Sequence, residues 1–188
     1  MNVERWRCFV AVPIGEDLRA DLSRAVSGWK ELDALRWTEP AAWHVTLAFL
    51  GSVRAGRVPE LVDRLNLVAA QHLPMSLVTG DLGAFPSPAR ARVAWYGVDD
   101  ADGRMARLAA DVSLALAPDD AKPYRPHLTL ARARRRPVDL RSWLASASAP
   151  GGLLVVDRVE LMRSHTGRDA AWYETLATIV LGGVAARV

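Results

Sequence analysis

Two strings in this chain carry the same chemistry-bearing residues in the same order: Trp43-His-Val-Thr-Leu-Ala-Phe49 and Pro126-His-Leu-Thr-Leu-Ala-Arg132. In an extended strand, side chains alternate between faces. His44, Thr46 and Ala48 are therefore expected on one face, and so are His127, Thr129 and Ala131. The opposite faces hold Val45, Leu47 and Phe49 in the first copy and Leu128 and Leu130 in the second, the apolar alternation of a strand lying on a core. Histidine titrates near neutral pH, so of two imidazoles one can take a proton while the other gives one, as cleavage of a phosphodiester requires. The threonine hydroxyls are fixed donors for charge that grows on the non-bridging oxygens, and Ala48 and Ala131 would leave room for the ligand. A single His-x-Thr on a strand is usually structural; its recurrence at equivalent places carries the functional reading. Neither copy brings the carboxylate and cysteine ligands that a zinc site recruits, so no metal and no cofactor are expected.

The elements that must position these residues also come in pairs. Arg7 to Ile14 reads as a buried strand, and Asp17 can cap a helix running to about Trp29, with Leu18, Leu22 and Val26 on its inner face. After the first motif, Leu61, Leu65 and Val68 mark an amphipathic helix from Pro59 to about Gln71, and Met75 to Phe85 is extended, with a bend or bulge at Gly80 and Gly83. The second half repeats the order: strand Arg92 to Val98, helix Met105 to Leu116, the second motif, a short helix from Val138 to Ala147, then an extended Leu153 to Arg163 and a last strand from Trp172 to Leu181. Arg7 precedes His44 by nearly the distance that separates Arg92 from His127. The expectation is one α+β domain over 1–188, bilobal and internally duplicated, with pseudo-repeat halves of roughly 1–88 and 89–188. Two antiparallel-type sheets would face a central cleft with helices outside, one motif coming from each lobe.

Composition narrows the remaining classes. The 188 residues are 51% hydrophobic and 24% charged, which is globular, and no apolar run approaches the ~20 residues of a membrane span. The charged N-terminus lacks the apolar core and cleavage site of a signal peptide, so a cytoplasmic protein is expected, away from membranes; a monomer is the separate expectation for its assembly. Cys8, the single cysteine, sits among Phe9, Val10 and Val12 and reads as a buried thiol, not a nucleophile. Lys30 and Lys122 are the only lysines among 24 basic residues. Arginine favours bidentate contact with phosphate, so this usage points either to an anionic substrate or to coding bias in a chain rich in Ala and Arg. His72, at a helix end, is expected to be solvated near the C-terminal dipole. His165 falls in a loop, with a place in the cleft as the minor alternative. Trp37, Trp43 and Tyr124 offer faces for base stacking, with core packing the commoner fate of such tryptophans. The run Arg134 to Arg136 reads equally as an RNA footprint or a solvated loop. A Gly-x-Ser-x-Gly elbow, a phosphate loop and a dinucleotide fingerprint are all absent.

With both motifs, Arg36-Trp37, the string Tyr124-Arg-Pro-His-Leu-Thr-Leu-Ala-Arg132 and the late Ser164, Gly167 and Tyr173, the chain resembles the two-histidine phosphoesterases. The branch it resembles is the RNA 2′,3′-cyclic phosphodiesterases, also called 2′-5′ RNA ligases, and the resemblance covers essentially the whole chain. It implies a bilobal fold and metal-free hydrolysis of an RNA 3′-terminal 2′,3′-cyclic phosphate to a 2′-phosphate. It also implies His44 as proton donor, His127 as proton acceptor and Thr46 and Thr129 as phosphate-binding residues. Arg132 matches a family position that contacts substrate; Tyr124, Arg125 and Trp37 complete the candidate contacts. The alternatives are ATP-independent 2′-5′ ligation at the same site, a small cyclic nucleotide as substrate, and an RNA-binding module that has lost the chemistry.

Overall fold

The strand-forming segments arise from unbroken or alternating apolar runs. In the computed structural model, which describes residues 4–29, 32–116, 124–166 and 171–182, Phe9 to Val12 are all buried and form the middle of strand β1 (Arg5–Pro13). Eight further strands are present among the described residues: β2 (Leu35–Trp37), β3 (His44–Arg54), β4 (Met75–Phe85), β5 (Val93–Val98), β6 (His127–Ala133), β7 (Gly152–Val156), β8 (Arg158–Thr166) and β9 (Ala171–Val180). The helices are α1 (Glu16–Ser27), α2 (Val58–Ala69), α3 (Arg104–Leu116) and the short α4 (Arg141–Ser146). Gly15, not Asp17, occupies the N-cap of α1, and Asp17 lies with Glu16 in the first turn, where a carboxylate favours the helix dipole. The expected helix from Val138 is shorter because Val138 is held in a bridge to Ala91.

All strand pairings are antiparallel and they form one hydrogen-bonded sheet in the order β7-β4-β5-β6-β3-β1-β8-β9, with β2 added on β6. The two expected sheets are therefore joined. Their junction is a single register pair, Val45 with Leu128, the residues between His and Thr in the two motifs, each 1% exposed. Beyond that pair β3 and β6 separate, which opens the space between the motif faces. The extended run after α4 is also divided: Asp157 alone separates β7, an edge strand, from β8, next to the other edge. Consecutive Cα atoms are about 3.8 Å apart, so the sheet must curl until its two ends come close. Each half of the chain lends its late strand to the other: β4 pairs with β5, and β8 with β1.

The helices bury the other side of the sheet. Leu18, Leu22 and Val26 of α1, Leu61, Leu65 and Val68 of α2, and Met105, Leu108 and Val112 of α3 join Val45, Leu47, Leu128 and Leu130 in the main core. A smaller core gathers Leu35, Ala84, Ala94, Ala131 and Leu140 around β2 and α4. Where β4 meets β5, the Tyr96 hydroxyl donates to the Pro150 carbonyl and stands 2.8 Å from the Thr79 hydroxyl. Burial raises the Tyr96 phenol above its ordinary range, so it stays a donor. Tyr96→Phe strands the buried Thr79 hydroxyl and the half-buried Pro150 carbonyl and is expected to cost about 1–3 kcal/mol. Urea denaturation would show this as a lower midpoint at unchanged slope; an unchanged midpoint would mean that water replaces the hydroxyl.

Candidate active site

The strict alternation expected of the motif strands breaks at the same place in both. Opposite β3, Val10 pairs with Ala48 but Ala11 pairs with Thr46, leaving Leu47 as an extra residue. Opposite β6, Ala94 pairs with Ala131 and Trp95 with Thr129, leaving Leu130 extra. Each is a β-bulge, which bends the strand and re-aims the side chains beyond it. Ala48 (6% exposed) and Ala131 (0%) consequently turn into the core and do not make room for a ligand, contrary to the strict alternation. The next residue takes the open face in each copy: Phe49, 61% exposed, and Arg132 both line the cleft. That cleft, about 460 Å³, is also lined by His44, Thr46, His127 and Thr129. The four motif residues read from the sequence thus face one space.

Both imidazoles are held in the same way. His44 Nδ1–H donates to the carbonyl of Ala42 at 2.9 Å, and His127 Nδ1–H donates to the carbonyl of Arg125 at 2.7 Å. A carbonyl only accepts, so the neutral ring carries its proton on Nδ1 and leaves Nε2 to exchange a proton with a ligand. Aromatic walls fix the ring planes. Phe9 lies 4.9 Å from His44, and Tyr173 meets it edge-on at 5.1 Å. Phe85 meets His127 edge-on at 5.0 Å, and Trp95 stands 6.4 Å away. Burial lowers the pKa of His44 to about 4; the Ala42 carbonyl opposes this, and the positive Arg132 and His127 add to it. Burial lowers His127 as well, against its bond to Arg125, and the Arg132 and Arg125 guanidiniums push the same way. Both shifts favour the neutral imidazole.

The remaining candidates lie around this space. Trp37 packs with Trp29 and Trp143 at 6.5 and 6.3 Å between ring centroids, away from the cleft lining. Trp43 is core, 2% exposed. Tyr124 donates its hydroxyl to the Thr46 carbonyl at 3.2 Å, supporting the first motif from behind, and burial raises its phenol far above the usual range. Arg125 does not line the cleft but lies 4.2 Å over the ring of Trp95, a wall of the His127 side. The exposed Arg134 donates to the carbonyls of Asp33 and Leu35. His72 is not solvated: it is 9% exposed and bonds Asp111 at 2.9 Å. His165 is in β8, not a loop, where it bonds Glu174 at 2.8 Å and stacks on Trp172 at 3.8 Å, outside the cleft lining. Gly167 lies outside the described residues. Sequence reasoning passed over Phe9, Phe49 and Phe85; only the equivalent last positions of the two strings, Phe49 and Arg132, could have pointed to one of them. Among the described residues, no group of three or more His, Cys, Asp or Glu side chains could hold a metal ion.

Residues 12–95 match the model of the LigT-like phosphoesterases. An Archaeoglobus fulgidus protein named RNA 2′,3′-cyclic phosphodiesterase is 32% identical over 69% of this chain and 74% of its own length. The chain belongs to the LigT-like phosphoesterase family. A Geobacillus stearothermophilus relative of the same name is 30% identical over 96% of this chain, which spans 59% of that longer protein. Among solved folds, a Thermus thermophilus structure superposes with a TM-score of 0.76 at 25% identity, over 94% of this chain and 98% of its own. The family is that of the two-histidine phosphoesterases which the motifs resemble, and its mixed α/β fold with a curled antiparallel sheet is the fold of this chain. No helix among the described residues is long and apolar enough to cross a membrane.

Proposed function

We propose that the protein hydrolyses the 2′,3′-cyclic phosphate at the 3′ end of an RNA to a 2′-phosphate, with His44 and His127 as the proton-transfer pair. The observation that carries this reading is the twinned arrangement: two imidazoles, each anchored through Nδ1, and two threonine hydroxyls around one cleft with Arg132. Water attacks phosphorus and gives its proton to the Nε2 of His127. The P–O3′ bond breaks, and His44 delivers a proton to the departing 3′ oxygen. Thr46, Thr129 and the Arg132 guanidinium stabilise the charge on the non-bridging oxygens. The His44 and His127 roles follow the family resemblance; in the free protein His44 is neutral, and the bound anion must raise its pKa for it to act as donor. The same reading takes residues 1–188 as one bilobal domain built from a duplicated unit, supported by the paired bulges and paired carbonyl anchors.

The direct test is to incubate the protein, with EDTA present, with an oligoribonucleotide ending in a 2′,3′-cyclic phosphate and to identify the product isomer. A terminal 2′-phosphate is expected. A 3′-phosphate, or no turnover, would rule the reaction out, and a 2′-5′ junction in the presence of a 5′-hydroxyl acceptor would show ligation at the same site.

The lowered pKa values set a pH dependence. The productive free protein holds one proton on the histidine pair, so kcat/KM rises as the doubly protonated form disappears, near pH 4, and falls as the last proton leaves. Both limbs are expected below pH 6.5, the ordinary histidine value, because both groups are lowered. The kcat profile, which reports the complex, should lie at higher pH, since the bound phosphate stabilises imidazolium. A kcat/KM optimum above pH 7 would contradict this account.

A further inference from the structure

Arg7 on β1 and Ser164 on β8 are register partners at one end of the cleft, and the proposed hydrolysis uses neither. The arginines nearby are engaged. Arg5 bonds Ser52, and Arg163 lies 4.3 Å over the ring of Trp6 and pairs with Glu4 and Glu174. Arg7, exposed at the cleft, has no hydrogen bond or ion pair among the described residues, and neither has the Ser164 hydroxyl. The wall beside them is open. The β1–β3 register slips between Cys8 and Phe9, and Gly51 at that slip has φ 63 with nothing within 4 Å of where a Cβ would stand.

The two side chains sit one step from the histidine pair. Ser164 pairs with Tyr173, whose ring meets His44 at 5.1 Å, and Arg7, Ser164 and Tyr173 are register partners on β1, β8 and β9 that all line the cleft. Along β1, Phe9 is two residues from Arg7, roughly 7 Å of strand, and packs against His44. A phosphate between His44 and His127 would place the neighbouring phosphate of an RNA strand, of the order of one nucleotide away, within reach of Arg7.

We propose that Arg7 and Ser164 form a second phosphate subsite, taking the phosphate on the 5′ side of the terminal nucleoside, so that the preferred substrate is a polynucleotide end and not a cyclic mononucleoside phosphate. The inference rests on the cyclic phosphodiesterase reading for the placement of the first phosphate. The planar guanidinium offers two parallel N–H donors to phosphate oxygens and the serine hydroxyl a third, in a charge-assisted set.

The test compares kcat/KM for adenosine 2′,3′-cyclic phosphate, its 5′-phosphorylated form and a diribonucleotide with the same cyclic end. The wild type is expected to favour both phosphate-bearing substrates by about ten- to a hundredfold. That ratio should fall toward one in Arg7→Ala and be partly kept in Arg7→Lys, which retains the charge without the fork. Free 5′-phosphate and internucleotide phosphate are distinguished by the second and third substrates. A wild-type ratio near one for both, or a ratio unchanged in Arg7→Ala, would overturn the proposal. If the wild type turns over none of the three, the reaction assignment fails, and calorimetric titration with adenosine 2′-monophosphate and adenosine 2′,5′-bisphosphate decides the subsite separately. Tighter binding of the bisphosphate that disappears in Arg7→Ala supports it; equal binding, or no binding of either nucleotide, overturns it.

Discussion

His127→Ala is expected to lower kcat toward an RNA 2′,3′-cyclic phosphate by at least ~10² to 10⁴, and His44→Ala to do the same. Each removal deletes one of the two proposed proton transfers. Around the pair, the Arg132 and Arg125 guanidiniums donate hydrogen bonds but do not accept them, the Tyr173 ring packs edge-on against His44, and the Tyr124 phenol is pushed up by burial and committed to the Thr46 carbonyl. Because the two rings act on one reaction coordinate, the double variant should cost little more than either single one. His44→Gln and His127→Gln keep much of the ring volume against Phe9 and Phe85 and separate loss of chemistry from loss of packing. Single-turnover kinetics and a thermal melt on the same preparations give the answer. Near-wild-type turnover in either alanine variant, with the fold intact, would remove that histidine from the mechanism.

Gly83→Ala should be the most damaging change outside the cleft itself. Gly83 pairs with Trp95 across β4 and β5, and the indole lies over the glycine so closely that an added Cβ would stand 2.0 Å from Cζ2 and 2.3 Å from Cη2. Trp95 is 3% exposed and has little room to retreat. Overpacking of this kind costs about 1–3 kcal/mol. The same ring backs His127 at 6.4 Å, meets Phe85 at 5.4 Å and carries the Arg125 guanidinium. Its displacement should therefore reach the chemistry, and a shift on the order of 1 Å at a catalytic group can cost ~10² in rate. The expected result is a lower denaturation midpoint together with reduced kcat. Gly56→Ala, at an exposed site with nothing within 4 Å of its Cβ position, serves as the control. A Gly83→Ala protein of wild-type stability and rate would show that Trp95 can move without consequence for His127.

Much of the site was legible because it depends on local order along the chain. His44 with Thr46 and His127 with Thr129 share faces through the two-residue repeat of a strand, and this holds up to the threonine in both copies. The helices on the core side were legible for the same reason, through the spacing of Leu18, Leu22 and Val26 or of Leu61, Leu65 and Val68. The pattern failed one residue later. Whether Ala48 or Phe49, and Ala131 or Arg132, faces the cleft is decided by how many residues β1 and β5 set opposite the motif strands, and that count belongs to a distant partner.

What the sequence alone determined is the pair of imidazoles, the pair of hydroxyls and the strands that present them. Tertiary structure decided the rest. It joined two expected sheets into one at Val45 and Leu128, exchanged β4 and β8 between the halves, and brought Phe9, Phe85 and Tyr173 from three other strands to hold the rings. It also buried His72 and set His165 on a strand against Trp172. The physical reason is one of range: side-chain alternation is a property of consecutive residues, whereas register, bulges and the burial that moves a histidine pKa arise only when segments far apart in the chain exclude water from one another.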